Sequence, residues 1–142
     1  MSTLSFDTGI KTFDINGDPE RVISFSPTDP DFIRRADSAF TKMDSIQKSY
    51  GVKIGKLNDS NKILQTIHYA DQEIRKVIDG VFGEGAADIV FHNISTYAIN
   101  SEKLPVWCSF MVAVLAQCDL TVTERESLEN PKLEALLAKY KK

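Results

Sequence analysis

Cysteine is scarce in this chain: two residues among 142, Cys108 and Cys118, ten positions apart. That spacing fits neither the close pairs of zinc and redox motifs nor a disulfide framework. Both read as buried free thiols that behave as small hydrophobes. Basic residues are outnumbered, seventeen Lys and Arg against twenty Asp and Glu, for a net charge of −3. A generic phosphate-backbone binder needs a surplus of Lys and Arg, so no nucleic-acid partner is expected. Long apolar runs are missing too. The longest, Val106 to Ala116, is broken by Ser109 and falls well short of the roughly 20 residues that cross a bilayer. Met1 to Asp7 has neither the basic patch nor the apolar stretch of a secretory signal, so a cytoplasmic chain with no membrane partner is expected. The sequons at Asn58 and Asn93 then carry no consequence. Internal repeats and low-complexity tracts are absent as well.

What is present is ordinary in amount and specific in arrangement. Hydrophobic residues make up 42% and charged ones 26%, values of a globular chain and not of a disordered or collagen-like one. A length of 142 residues corresponds to one domain. A domain of that size can bury about 68–70% of its unfolded surface without a disulfide or metal staple.

The first 28 residues predict a β-hairpin arm and residues 29–142 a helical bundle. Thr12 to Ile15 alternates, Asn16-Gly17-Asp18-Pro19 supplies turn chemistry, and Glu20 to Phe25 returns, with Phe13, Ile15, Val22 and Phe25 available to cover a core. A lone hairpin is marginal in water, so this one must pack on the helices or on another chain. Asp29-Pro30 reads as an N-cap with proline at the first helical position. Behind it, Phe32, Ala36, Ala39, Met43, Ile46 and Tyr50 advance by four and three along one helix face. Gly51 and Gly55 mark the end of that helix.

A second helix opens near Asp59-Ser60, with Ile63, Ile67, Ala70, Ile74, Val77 and Val81 as its stripe, so the two helices predict an antiparallel pair. The pattern breaks at Gly83-Glu84-Gly85 and resumes briefly at Ile89-Val90-Phe91. Ser101 is a candidate cap for a third long helix from near Glu102, apolar nearly all round. Thr123 with Glu126 fits a capping box, and Asn130-Pro131 opens a last helix that ends in basic Lys139, Lys141 and Lys142. The fold class is therefore mainly α within α+β, a hairpin followed by four to five helices.

Candidate chemistry is sparse. Gly83 and Gly85 invite a phosphate-loop reading, but no Lys-Ser/Thr ending follows, no strand precedes, and Glu84 would repel a phosphate. They are a structural turn. Asp14-x-Asn16-Gly17-Asp18 resembles the start of a calcium loop, yet its glycine comes too early and its twelfth position is Phe25, so a hairpin turn explains it better. Neither His68 nor His92 has a second ligand at metal spacing, and there is no Gly-x-Ser-x-Gly element. No enzyme, metal or cofactor is expected. Aromatic residues and methionine are favoured at interfaces, so Phe32, Phe40, Met43, Trp107, Phe110 and Met111 are candidate partner-binding residues, with core packing as the alternative for each.

The segment VFGEGAADIVF at 81–91, with Asn93 and Tyr97 after it, resembles tail assembly chaperones and related small tail-morphogenesis proteins of long-tailed bacteriophages and prophages. Similar Phe-Gly-Glu-Gly turns follow a long amphipathic helix in that family, between a short N-terminal strand region and a basic helical C-terminus. The order of elements matches over most of the chain and the specific match covers about a dozen residues. The apolar stretch Leu104–Leu120 departs from the shorter members.

The resemblance implies a non-enzymatic helper in the host cytoplasm. Such a helper coats the tape-measure protein and recruits tail-tube subunits, with homo-oligomers among its assemblies. Only Gly83 and Gly85 carry over, as a turn. It also implies short and long forms made by a frameshift, for which Lys141-Lys142 is a candidate slippery site. Two other readings stand beside it: a structural tail or connector subunit, and a small phage-encoded adaptor or inhibitor of a host protein.

Overall fold

A computed structural model of the chain describes residues 1–118. The expected capping box at Thr123 and Glu126, the helix opening at Asn130-Pro131 and the terminal lysines lie outside the described residues. The architecture is α+β, an antiparallel hairpin followed by four helices. In order these are β1 (Lys11–Ile15), β2 (Asp18–Phe25), α1 (Pro30–Gly55), α2 (Ser60–Phe82) and α3 (Ala86–Phe91), then α4, helical from 106 to 118.

Asn16 and Gly17 both take positive φ, 53° and 82°, so the hairpin turns in two residues instead of the broader turn expected through Pro19. β2 then bulges. Ile15 pairs with Asp18 and Asp14 with Val22, which leaves Pro19, Glu20 and Arg21 without partners on β1. Proline has no N–H to offer a ladder and suits that position. Past the bulge, Ile23 and Phe25 share the inner face with Phe13 and Ile15. Val22 and Ser24 point outward, which removes Val22 from the expected core set and puts Ile23 there.

Asp29 caps α1 as expected, its carboxylate accepting from the Asp31 N–H at 2.9 Å with Pro30 behind it. In the first turn, the Arg34 hydrogen bond and then that of Arg35 hold Asp31 below its usual pKa. The helix does not stop at Gly51 but runs on to Gly55, since one interior glycine costs only about 1 kcal/mol relative to alanine. Asp59 caps α2 through the Asn61 N–H at 3.0 Å. The most buried line of α2 is Ala70, Ile74 and Ile78, a step of four throughout, with Asp71 beside it.

Gly83, at φ 114°, ends α2, and Gly85, at φ 86°, opens α3. Side chains are costly in such backbone, so the pair works as the turn read from the sequence. Gly85 has no side chain with which to cap, and Asp79 of α2 does it instead, accepting from the Ala87 N–H at 2.8 Å. α4 starts later than the expected Glu102. The Asn100 side chain accepts from the N–H groups of Glu102 and Leu104, at 2.9 and 3.2 Å, and Ile99 bridges to Pro105. These bonds hold 100–105 as a loop, and Pro105 leads into the helix.

One phenylalanine from each element meets at the centre. Phe25 stacks between Phe13 at 4.5 Å and Phe32 at 4.8 Å, and Phe82 meets Phe25 and Phe32 edge-on. Phe110 then packs on Phe82 at 5.4 Å and on Phe91 at 5.6 Å. Aromatic pairs in these geometries stabilise beyond the area they bury, by about 0.5–1.5 kcal/mol each. Hairpin and helices thus share one core.

Candidate functional site

Among the described residues, the inner face of the hairpin does not close fully onto the helices. Between Phe13, Ile15 and Ile23 on one side, Val90 and Phe91 at the end of α3, and Phe110 and Val114 of α4 lies an open groove of about 540 Å³. Its lining is mainly apolar, and its volume falls in the range of binding pockets. The few polar groups at its rim are largely spoken for. Asn100 donates to Ser109 Oγ at 2.7 Å. Arg21, carried by the β2 bulge, donates Nε to the Ile89 carbonyl at 2.8 Å and a terminal nitrogen to the Val90 carbonyl. That guanidinium fastens the hairpin to the carbonyl end of α3, where a cation is also favoured by the helix dipole. The groove can accept apolar side chains from a helix or strand. Beside it, β1 pairs with β2 alone in a two-stranded sheet, which leaves its outer edge without a strand among the described residues.

The expected partner-binding residues divide between this groove and the core. Phe32, Met43, Trp107 and Met111 are between 0 and 4% exposed, so they belong to the core and present nothing to a partner in this structure. The physical reason is that α2, α4 and the hairpin already cover the α1 stripe. Phe40 is half-buried and packs edge-on against Trp107, whose indole N–H donates to Gln47 Oε1 at 2.8 Å. Phe110 alone of the six borders the groove. Gly83 and Gly85 hold the turn.

A second, polar cluster lies where α2 meets α3 and the loop after it. One Asp71 carboxylate oxygen accepts from both the N–H and the hydroxyl of Thr96, each at 2.7 Å, and Thr96 is fully buried. Arg75 donates Nε to Asp71, one terminal nitrogen to Asp88 at 2.8 Å and the other to the Ile94 carbonyl at 2.7 Å. The network joins α2 to α3 and to the loop after it. His68 and His92, distant in sequence, line the same shallow cleft, but both carboxylates there are held by Arg75. Among the described residues no group of three or more His, Cys, Asp or Glu is placed to hold a metal ion.

Cys108 and Cys118 form no disulfide; burial, followed by Asp44, pushes the Cys108 thiol up. No helix of the described residues is long and apolar enough to cross a membrane.

Sequence reading missed Arg21 and the Asp71 network. The signal for the second was Asp71 itself, a charged residue on the apolar side of α2 with Arg75 one turn on. Comparison with protein-family models, curated proteins and solved structures finds no match.

Proposed function

We propose that the chain is a non-enzymatic assembly chaperone for the tail of a long-tailed bacteriophage, working in the cytoplasm of the host cell. Its clients are apolar stripes of the tape-measure protein, and its second partner is the tail-tube subunit. The observation that carries the reading is the open apolar groove between hairpin, α3 and α4. An amphipathic helix laid into such a groove keeps its apolar face from water. The segment behind the family resemblance contributes to that surface, since Val90 and Phe91 form part of the groove wall.

The test is binding to tape-measure fragments taken from the same genome. Ala113 is exposed and borders the groove, so Ala113→Arg narrows it without disturbing the core. Wild-type protein is expected to retain at least one fragment and Ala113→Arg to bind it at least about tenfold more weakly, the effect of losing roughly 1.4 kcal/mol. Failure to bind any fragment overturns the reading.

One observation favours a second reading, a structural tail subunit: the edge of β1, left without a strand among the described residues, is a ready template for a neighbour's strand. A structural subunit persists in purified particles, whereas a chaperone is absent from them.

A further inference from the structure

The only Asn-Gly pair of the chain, Asn16-Gly17, forms the hairpin turn, and both residues are exposed there. Gly17 has no side chain to shield its nitrogen from the Asn16 side-chain carbonyl carbon. The other asparagines of the described residues are followed by Asp59, Lys62, Ile94 and Ser101, whose side chains crowd that approach. Asn100, ahead of Ser101, is also tied down: its oxygen accepts from Glu102 and Leu104 and its nitrogen donates to Ser109. The Asn16 side chain makes no hydrogen bond among the described residues. Two features restrain it. Positive φ at both turn residues, 53° and 82°, is the type I′ pattern, and a left-handed residue, with ψ of about +47°, turns the following nitrogen away from its own side chain. The Gly17 N–H also donates to Asp14 Oδ1 at 2.9 Å. Attack by this nitrogen requires loss of that proton, and a carboxylate beside it disfavours the resulting anion.

We propose that Asn16 is a site of spontaneous deamidation whose rate is set by Asp14 and whose product loosens the hairpin wall of the groove. When the turn opens locally, the Gly17 nitrogen gives its proton to solvent and bonds to Asn16 Cγ. The Cγ–Nδ2 bond breaks, and the side-chain nitrogen takes a proton from water and leaves as ammonia. Water then opens the cyclic imide. Addition at Cγ yields aspartate, whereas addition at the main-chain carbonyl yields isoaspartate, in which the chain runs through the former side chain. Aspartate keeps the turn, because Asp-Gly suits it as Asn-Gly does. Isoaspartate inserts an extra main-chain atom, so the Ile15–Asp18 pair that closes the turn loses its register. Asp14, Ile15 and Asn16 all line the groove, so the lengthened turn disturbs its β1 wall, and either product adds a carboxylate there. The proposal goes beyond the chaperone reading and stands whatever the client is.

Incubation of the full chain at neutral pH tests it, folded and, for reference, unfolded in urea. Peptide mapping by mass spectrometry follows each asparagine and separates aspartate from isoaspartate. In the folded protein Asn16 is expected to convert before any other asparagine of residues 1–118, and more slowly than in urea. Asp14→Ala is expected to raise the folded rate at least about fivefold, as loss of a hydrogen bond to a charged group implies, with a smaller change in urea. If Asp14→Ala loses its far-UV circular dichroism, Asp14→Asn replaces it; this side chain keeps an acceptor without the charge and is still expected to exceed the wild-type rate. The purified isoaspartate form is expected to exchange the amide hydrogens of β1 and β2 faster than the unconverted protein. A folded wild type that keeps Asn16 intact after the unfolded chain has converted, another of these asparagines converting first, an Asp14 variant no faster than wild type, or an isoaspartate form with unchanged exchange overturns the proposal. Because no tape-measure fragment is present, failure here is distinct from failure of the chaperone reading.

Discussion

At Asp71 a buried carboxylate gathers Thr96 and Arg75, and few residues of the chain tie together so much of its sequence. Asp71→Ala would leave the Thr96 N–H and hydroxyl without that acceptor and strip Arg75 of its buried counter-charge. Breaking a buried pair from one side costs about 3–5 kcal/mol, so urea denaturation of Asp71→Ala is expected to show a loss of that order.

Tyr97, one residue on, presents the opposite case. Its hydroxyl is buried without a hydrogen-bond partner among the described residues. Burial first, then the neighbouring Tyr50, Glu73 and Asp71, pushes its pKa up to about 12. The folded state holds this proton more tightly than the unfolded chain, whose tyrosine releases it near its ordinary value of 10.0. Stability is therefore whole below about 10 with respect to this group and is lost as the pH rises toward about 12. Tyr97→Phe is expected to shift stability at neutral pH by less than about 1 kcal/mol, since no bond is lost, and to make the alkaline loss shallower. Urea midpoints measured across that pH range check both. Neither residue's partner is written in local pattern. Asp71, on the apolar side of α2, signals a buried charge, but Thr96 lies twenty-five residues on and only folding brings it over the carboxylate.

Among elements, the helices are the most legible part. Asp29-Pro30 and Asp59 announce the starts of α1 and α2 by capping chemistry that acts within three residues, and local chemistry survives without knowledge of the fold. The start of α4 was misplaced because the decisive side chain, Asn100, bonds forward into the loop and postpones the helix. Ile78 was missed for a different reason. A stripe stepping by four and three keeps to one line, while α2 is buried along a line stepping by four, which drifts across the helix surface toward its packing partners.

The hairpin's existence was plain from Asn16-Gly17, but its attachment was not. The bulge at Pro19–Arg21 aims the Arg21 guanidinium at two carbonyls some seventy residues away, a connection no periodicity reveals. Arg21→Met keeps the aliphatic stem and deletes those bonds. A loss of about 1–3 kcal/mol is expected. Amide hydrogen exchange should quicken in β1 and β2 before it does in α1 or α2, because the hairpin is the element released.

At the scale of the molecule, the sequence showed where apolar residues lie but not which would be consumed inside. Phe32, Met43, Trp107 and Met111 vanish into a core that every described element helps to build, whereas Phe110 and Val114 have one side on the core and one on the groove. A helix that is apolar nearly all round cannot, by composition, say which of its sides stays uncovered. Residues 1–10, expected within the hairpin arm, instead precede it without assigned secondary structure, and Leu4, Phe6 and Ile10 stay exposed.

The Arg21 hydrogen bonds reach the Ile89 and Val90 carbonyls across sixty-eight and sixty-nine residues of chain. Closing so long a loop costs conformational entropy before any contact rewards it, whereas α1 and α2 meet across a connection of a few residues. In refolding, the helical pair is therefore expected to form ahead of the hairpin's attachment to α3.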